Sequence, residues 1–163
     1  MCKKYLFPVL FILGFSSCNP VGKGLTVLEL ATGEIVSAEN LSLKKGDVVT
    51  IWTKVFKSSE DEAGVFSVKF NIENEGKSIL LDSLDMRAED HVINSKTTKE
   101  SYNESSSKGD STIYYTVHEY EAESKRFTVP ADGKYSFDFK LIERSSNNSS
   151  IFGEKVGIVL RKS

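Results

Sequence analysis

Apolar and polar residues alternate with a period of two in several segments of this chain, and that pattern constrains the fold most. Phe66–Ile72 has an apolar residue at every second position, and Tyr135–Leu141 repeats the alternation. A strand with one buried face has this period because successive side chains point to opposite sides. Asp47–Phe56 is apolar on both faces, as in a central strand packed on two sides or a strand that bends between two sheets, and Trp52 within it is expected in the core. No window of ten or more residues has convincing helical spacing.

Turn signals divide the chain into short strands. Gly46, Gly76 and Gly133 each lie where a reversing chain is expected to need a positive φ, which glycine adopts at no steric cost. The turn at Gly76 links two strand-like runs directly, so residues 64–85 are predicted to form a β-hairpin. The pattern predicts one all-β domain over residues 25–163, an antiparallel β-sandwich of about eight or nine strands, jelly-roll or immunoglobulin-like. Weaker strand-like runs lie at 25–30, 78–84, 112–120, 125–129 and 156–161.

One polar stretch interrupts the strand pattern. Residues 94–111 contain six serines and a single large apolar residue, Tyr102. Such a composition buries too little to offset the entropy of ordering it. We therefore expect a long flexible loop at about 87–110, which is either a tolerated surface insertion or a binding loop.

The N-terminus has the pattern of an export signal. Lys3 and Lys4 precede the uncharged stretch Tyr5–Phe15, which is too short to span a bilayer as a helix. The Phe15-Ser16-Ser17-Cys18 segment resembles the lipobox of bacterial lipoproteins. The resemblance implies that the Cys18 thiol receives a diacylglyceryl group and that the chain is cut just before it. Residues 1–17 would then be a signal peptide and residues 18–24 a lipidated tether.

The alternative for the N-terminus is a disulfide between Cys2 and Cys18 in a retained segment. Within the lipoprotein resemblance, Asn19 after the cysteine, with no acidic cluster beside it, implies the outer membrane of a Gram-negative bacterium, with the lipid-anchored domain facing the periplasm. The lipid on Cys18 implies a membrane partner. The net charge of −2 gives no basic excess, so we expect no nucleic-acid partner.

A second resemblance concerns the C-terminal part of the chain. The segment Phe127–Phe137 contains an F-x-V strand, a Gly turn and a G-x-Y-x-F strand. This segment is similar to the closing part of small β-sandwich modules of the GOLD and jelly-roll type. The similarity implies a fold and no activity.

Few residues suggest catalysis or metal binding. His91 and His118 are far apart in sequence and lie in no nucleophile or zinc motif, and Cys18 is the only cysteine after the signal. The acidic clusters at 60–62 and 89–90 lack the spacing of a calcium loop. We therefore expect no enzyme activity, no metal and no cofactor, although a carboxylate pair for glycoside hydrolysis stays open because its spacing is spatial.

The candidate contact residues lie in and after the predicted loop. Tyr114, His118 and Tyr120 share one face of a predicted strand, and Tyr102 lies in the loop. Aromatic side chains with polar tips can stack on sugar rings or peptides, so these four residues are candidate binding residues. The alternative is a half-buried sheet face on which the tyrosines pack against neighbouring strands.

A short modification signal lies beside these residues. Asp110-Ser111-Thr112 resembles a three-residue O-glycosylation signal of some Gram-negative lineages, which makes Ser111 a candidate site. Taken together, the features predict a non-catalytic, membrane-anchored binding or assembly module for a protein or glycan of the cell envelope. The alternatives are a structural subunit that assembles by β-strand addition and, less favoured, an envelope hydrolase.

Overall fold

The computed structural model describes residues 21–58, 65–85, 91–106, 109–144 and 156–163. The predicted signal peptide, Cys18 and the acidic clusters at 60–62 and 89–90 lie outside these ranges. The described residues form nine strands: β1 (Lys23–Leu30), β2 (Ile35–Leu43), β3 (Val48–Ser58), β4 (Val65–Asn74), β5 (Lys77–Asp85), β6 (Val92–Ser106), β7 (Gly109–Thr128), β8 (Gly133–Arg144) and β9 (Val156–Lys162).

The strands form two antiparallel sheets that pack as a β-sandwich, which confirms the predicted fold class. The five-stranded sheet has the order β1-β9-β3-β7-β6, and the four-stranded sheet has the order β2-β8-β4-β5. The predicted hairpin is confirmed, since β4 pairs with β5 from Asn74↔Lys77 onward. Within the described ranges, no helix has the length and apolar character that a membrane span requires.

The core lies between the two sheets and is built from the alternating positions. Phe70 of β4 and Phe139 of β8 are buried, and their rings stack with centroids 6.3 Å apart. From the opposite sheet, Ile51, Ile158 and Leu160 are fully buried against them. Burying each large side chain stabilises the fold by about 1.5–3 kcal/mol, so the one-sided alternation in the sequence is the source of the sandwich.

The expectation of a long loop at 87–110 is wrong for residues 92–106. These residues form β6, which pairs with β7 from Val92↔Ala122 to Ser106↔Gly109. Only residues 107 and 108 separate the two strands in the sequence. A polar hairpin of this kind is ordered by its ladder of backbone hydrogen bonds and by cross-strand side-chain pairs, so it needs little apolar burial of its own.

Two further elements differ from the sequence prediction. The runs 112–120 and 125–129 are parts of one strand, β7, whose pairing with β3 shifts at a β-bulge beside Trp52. Strand β2 was not predicted, because its alternation breaks between Ala38 and Leu41, where Asn40 has a φ of 59°. A bulge inserts an extra residue and so moves later side chains to the other face.

The glycine turns are confirmed at two of three positions. Gly46 and Gly76 have φ values of 89° and 78°. Gly133 does not have a positive φ, and its role is spatial: a Cβ there would lie 2.5 Å from the Asn74 side-chain oxygen. The Asn74 side chain would have to shift to admit a larger residue at position 133.

Candidate functional site

The most distinctive surface is a two-stranded extension of the larger sheet. In the described residues, β3 pairs with β7 as far as Ser58↔Val117, whereas β6 pairs with β7 for eight further residue pairs, from Lys99↔Thr116 to Ser106↔Gly109. Among the strands that the structure describes, β6 is the only one paired with this part of β7. We call residues 99–106 and 109–116 the β6–β7 ribbon. At about 3.3 Å per residue, it is about 26 Å long.

Three of the four predicted contact residues share one side of β7, as their spacing predicted. Ala122, on the same side, is buried at 3% exposure where β7 crosses the core. Tyr120 is half-buried, His118 is exposed, and Tyr114 is 77% exposed. On this face Thr116, between His118 and Tyr114, is half-buried, so the two exposed side chains are separated by a partly covered one. His118 is held at its base by a 3.1 Å hydrogen bond between Nδ1 and the Thr97 hydroxyl.

Tyr102 does not join the other three residues. It pairs in register with Ile113, so its side chain lies on the face opposite to Tyr114. There its ring packs against Tyr115 with centroids 6.1 Å apart, and the Tyr115 hydroxyl donates a 2.8 Å hydrogen bond to Glu100. The ribbon thus has aromatic rings on both faces, with Tyr102 in a packed pair and Tyr114 open to solvent.

Ser111 also lies in the ribbon. It is exposed and pairs in register with Glu104, so it belongs to a strand and not to the margin of a loop. Its accessibility agrees with the expectation that a modifying enzyme could reach it.

A second cluster lies on the outer face of the five-stranded sheet and was not predicted. Trp52 is buried at 1% exposure as expected, but Ile51 is the residue that points into the sandwich core, so Trp52 faces outward. Its ring meets the His91 ring edge-on at 5.1 Å. Glu123, opposite Trp52 on β7, binds His91 Nδ1 at 2.8 Å and Arg126 Nη2 at 2.9 Å.

The electrostatics of this cluster favour a structural role. We call Trp52, His91, Glu123 and Arg126 the brace. The Arg126 guanidinium, and to a smaller extent His91, lowers the pKa of Glu123, while partial burial opposes the shift. Arg126 contacts both carboxylate oxygens, and His91 shares one of them. A carboxylate held in this way is a poor general base, because binding to cations lowers its proton affinity.

An open depression of about 430 Å³ lies beside the brace, lined by His91, Glu123, Ser124, Lys125 and Arg126. No group of three histidine, cysteine, aspartate or glutamate side chains in the described ranges is arranged to hold a metal ion. The β-bulge between β3 and β7 lies next to these residues and helps to bring them together. No short sequence motif marks this bulge.

Comparison with protein-family models, curated proteins and solved structures found no match for this chain. The case for a function therefore depends on the chain's own residues.

Proposed function

We propose that this protein is a non-catalytic, lipid-anchored β-sandwich of the outer membrane, acting as a binding or assembly module for a protein or glycan of the cell envelope. The observation that carries the proposal is the β6–β7 ribbon, which extends beyond the described part of β3 and exposes Tyr114 on the face of β7 that also carries His118. A ribbon whose described residues are absent from the core but which keeps an aromatic side chain in water fits a contact surface better than a structural one.

The proposed lipid anchor would hold this surface close to the membrane. Acyl chains on Cys18 contribute about 0.8 kcal/mol for each buried methylene group, so two or more chains hold a domain stably on the membrane. Tethering restricts the domain to a thin layer and raises the effective concentration of partners in that layer. A modest contact through the ribbon would then be sufficient for function.

The chemistry of Tyr114 fits a sugar ring or an extended peptide. Its ring is flat and apolar, and its hydroxyl can donate or accept a hydrogen bond. His118 lies four residues further along β7 on the same face, about 13 Å from Tyr114 at the strand spacing, and adds a second polar group. The absence of catalysis in the proposal is supported by Glu123, whose oxygens are occupied by Arg126 and His91.

The contact surface can be tested by detergent pull-down of the full-length protein from its own membranes. We expect wild-type protein to retain a partner or glycan that the double variant Tyr114→Ala, His118→Ala loses. Ile35→Ala is the matched control, because Ile35 is 67% exposed on the other sheet. Equal retention by the double variant would place the contact elsewhere.

The anchor is tested separately by fatty-acid labelling. We expect Cys18→Ser to lose the label and to leave the membrane fraction, and Cys2→Ser to keep both. Undiminished labelling of the Cys18→Ser variant would overturn the anchor.

A second candidate function, a structural subunit that assembles by strand addition, is favoured by the 15-residue edge strand β6. An edge strand of this length is a template for another strand.

A further inference from the structure

Strand β6 lies at one edge of the five-stranded sheet. It has 15 residues, and among the described strands β7 is its only neighbour. Beyond the register shift at residues 93–96, its pairing with β7 is regular from Lys96 to Ser106. An edge of this length normally has a feature that prevents pairing with other chains, such as several charged side chains of one sign, most often lysines.

The charges on β6 are arranged differently. Lys96 and Lys99 come first along the strand, and Glu100 and Glu104 follow. All four side chains are exposed. A strand with a basic first half and an acidic second half repels a parallel copy in register but attracts an antiparallel copy, because each basic half then lies opposite an acidic half.

Symmetry limits how two copies can pair. Two antiparallel strands in one sheet are related by a twofold axis perpendicular to the sheet, so one residue lies opposite its own copy. Of the seven registers centred from Lys96 to Tyr102, only the one centred on Thr98 puts opposite charges directly across from each other without any like-charged pair. In that register Lys96 lies opposite Glu100 twice, once on each side of the axis.

Each of the other registers either lacks a pair of opposite charges or includes a pair of like charges. A centre at Lys96 or Lys99 sets two identical lysines opposite each other. A centre at Glu100 pairs Lys96 with Glu104 twice but also sets two glutamates opposite each other, and a centre at Tyr102 sets Glu100 against Glu104. Centres at 97 and 101 form no charged pair. Since like charges directly opposite destabilise a sheet, the Thr98 register is favoured.

We propose that the partner of β6 is β6 of a second copy of this chain, paired antiparallel about Thr98, so that two five-stranded sheets join into one of ten strands. This inference rests on the assembly role proposed above and identifies the partner in that assembly as a second copy of the chain. Glu100 is already held by the Tyr115 hydroxyl at 2.8 Å, which reduces the entropy lost when it binds Lys96 of the other copy. Anchoring both copies in one membrane favours the contact further.

The test is charge reversal in the full-length protein in detergent, with association measured by sedimentation across a range of concentrations. We expect Lys96→Glu and Glu100→Lys each to weaken self-association by about tenfold or more, because each change turns two attractive pairs into repulsive ones. The double variant is expected to recover wild-type association, because the pairs are restored with reversed signs.

Lys99→Glu is the matched control, since Lys99 faces Thr97 in this register and the change should have little effect. Far-UV circular dichroism of each variant checks that the sheet content is intact. A monomeric wild type, a Lys96→Glu variant that associates normally, or an equal loss with Lys99→Glu would each overturn the proposal. A monomeric protein that still incorporates fatty acid at Cys18 and still retains a partner through Tyr114 would refute the pairing alone.

Discussion

Two carboxylates show how individual side chains connect parts of this fold. Asp82 on β5 binds Lys125 Nζ of β7 at 2.8 Å, so this pair joins the two sheets at their rim. Glu123 lies between Arg126 and His91 on the outer face, and its side chain is only 16% exposed. In both cases the hydrogen bond from the cationic partner is the main reason that the pKa of the carboxyl group is lowered.

Lowered carboxyl pKa values predict acid sensitivity. A group with a lower pKa in the folded than in the unfolded chain stabilises the fold fully above its ordinary pKa and loses that contribution as the pH falls through the folded value. We expect the free energy of unfolding to fall as the pH is lowered from about 5 to about 2, where carboxyl groups titrate. Urea titrations at several pH values measure this directly.

Glu123→Gln isolates the outer brace. The variant should lose about 1 kcal/mol at neutral pH and should lose less than the wild type on acidification, because one titrating carboxylate is gone. Glu104→Gln, an exposed ribbon position, is the control and should match the wild type. If the free energies of unfolding of Glu123→Gln and wild type fell in parallel with pH, the brace would not contribute to the acid sensitivity.

At the scale of elements, the strands of the sandwich differ from those of the ribbon in what orders them. Strands β4 and β8 each bury one face in the core, so their alternation was visible in the sequence. Strand β6 is polar along most of its length and was mistaken for a loop, because its order comes from pairing with β7. Local composition predicts burial well, but pairing depends on a strand elsewhere in the chain.

The ribbon is therefore predicted to be dispensable for folding. Replacing residues 100–115 by Asn-Gly joins the paired residues Lys99 and Thr116 through a two-residue turn. We expect Tm to stay within about 3 °C of wild type, because the deleted residues do not contribute to the core. Thermal denaturation followed by circular dichroism gives the value.

The substitution Phe139→Ala, in the core, provides the contrast to the ribbon deletion. It removes a fully buried ring and should cost about 3–5 kcal/mol. A shortened ribbon that lowers Tm as much as Phe139→Ala does would mean that the ribbon stabilises the sandwich.

At the scale of the molecule, both sheets contribute to one core. Strand β3 is the central strand of the larger sheet and is covered on both faces, with Ile51 toward the core and Trp52 outward. Trp52 is the single tryptophan, so its fluorescence reports on the outer face while circular dichroism reports on all strands.

A shared central strand predicts a single cooperative transition. We expect Trp52 fluorescence and far-UV circular dichroism to give the same urea midpoint, since the outer cluster cannot open while β3 stays packed. A fluorescence midpoint clearly below the circular-dichroism midpoint would show instead that the outer cluster around His91 opens first.

The all-β class, the hairpin at Gly76 and the alternating core positions of β4 and β8 were predictable from the sequence, because each depends on burial patterns within a few residues of one another. The core residues of β2, Ala38 and Leu43, were not predicted. The sequence also placed Tyr114, His118 and Tyr120 on one face, since strand geometry alternates strictly. The strand β6, the position of Tyr102 on the opposite face and the contacts around Glu123 became visible in the folded chain alone. The reason is physical: those features arise from register and bulges between distant segments, which no local period records.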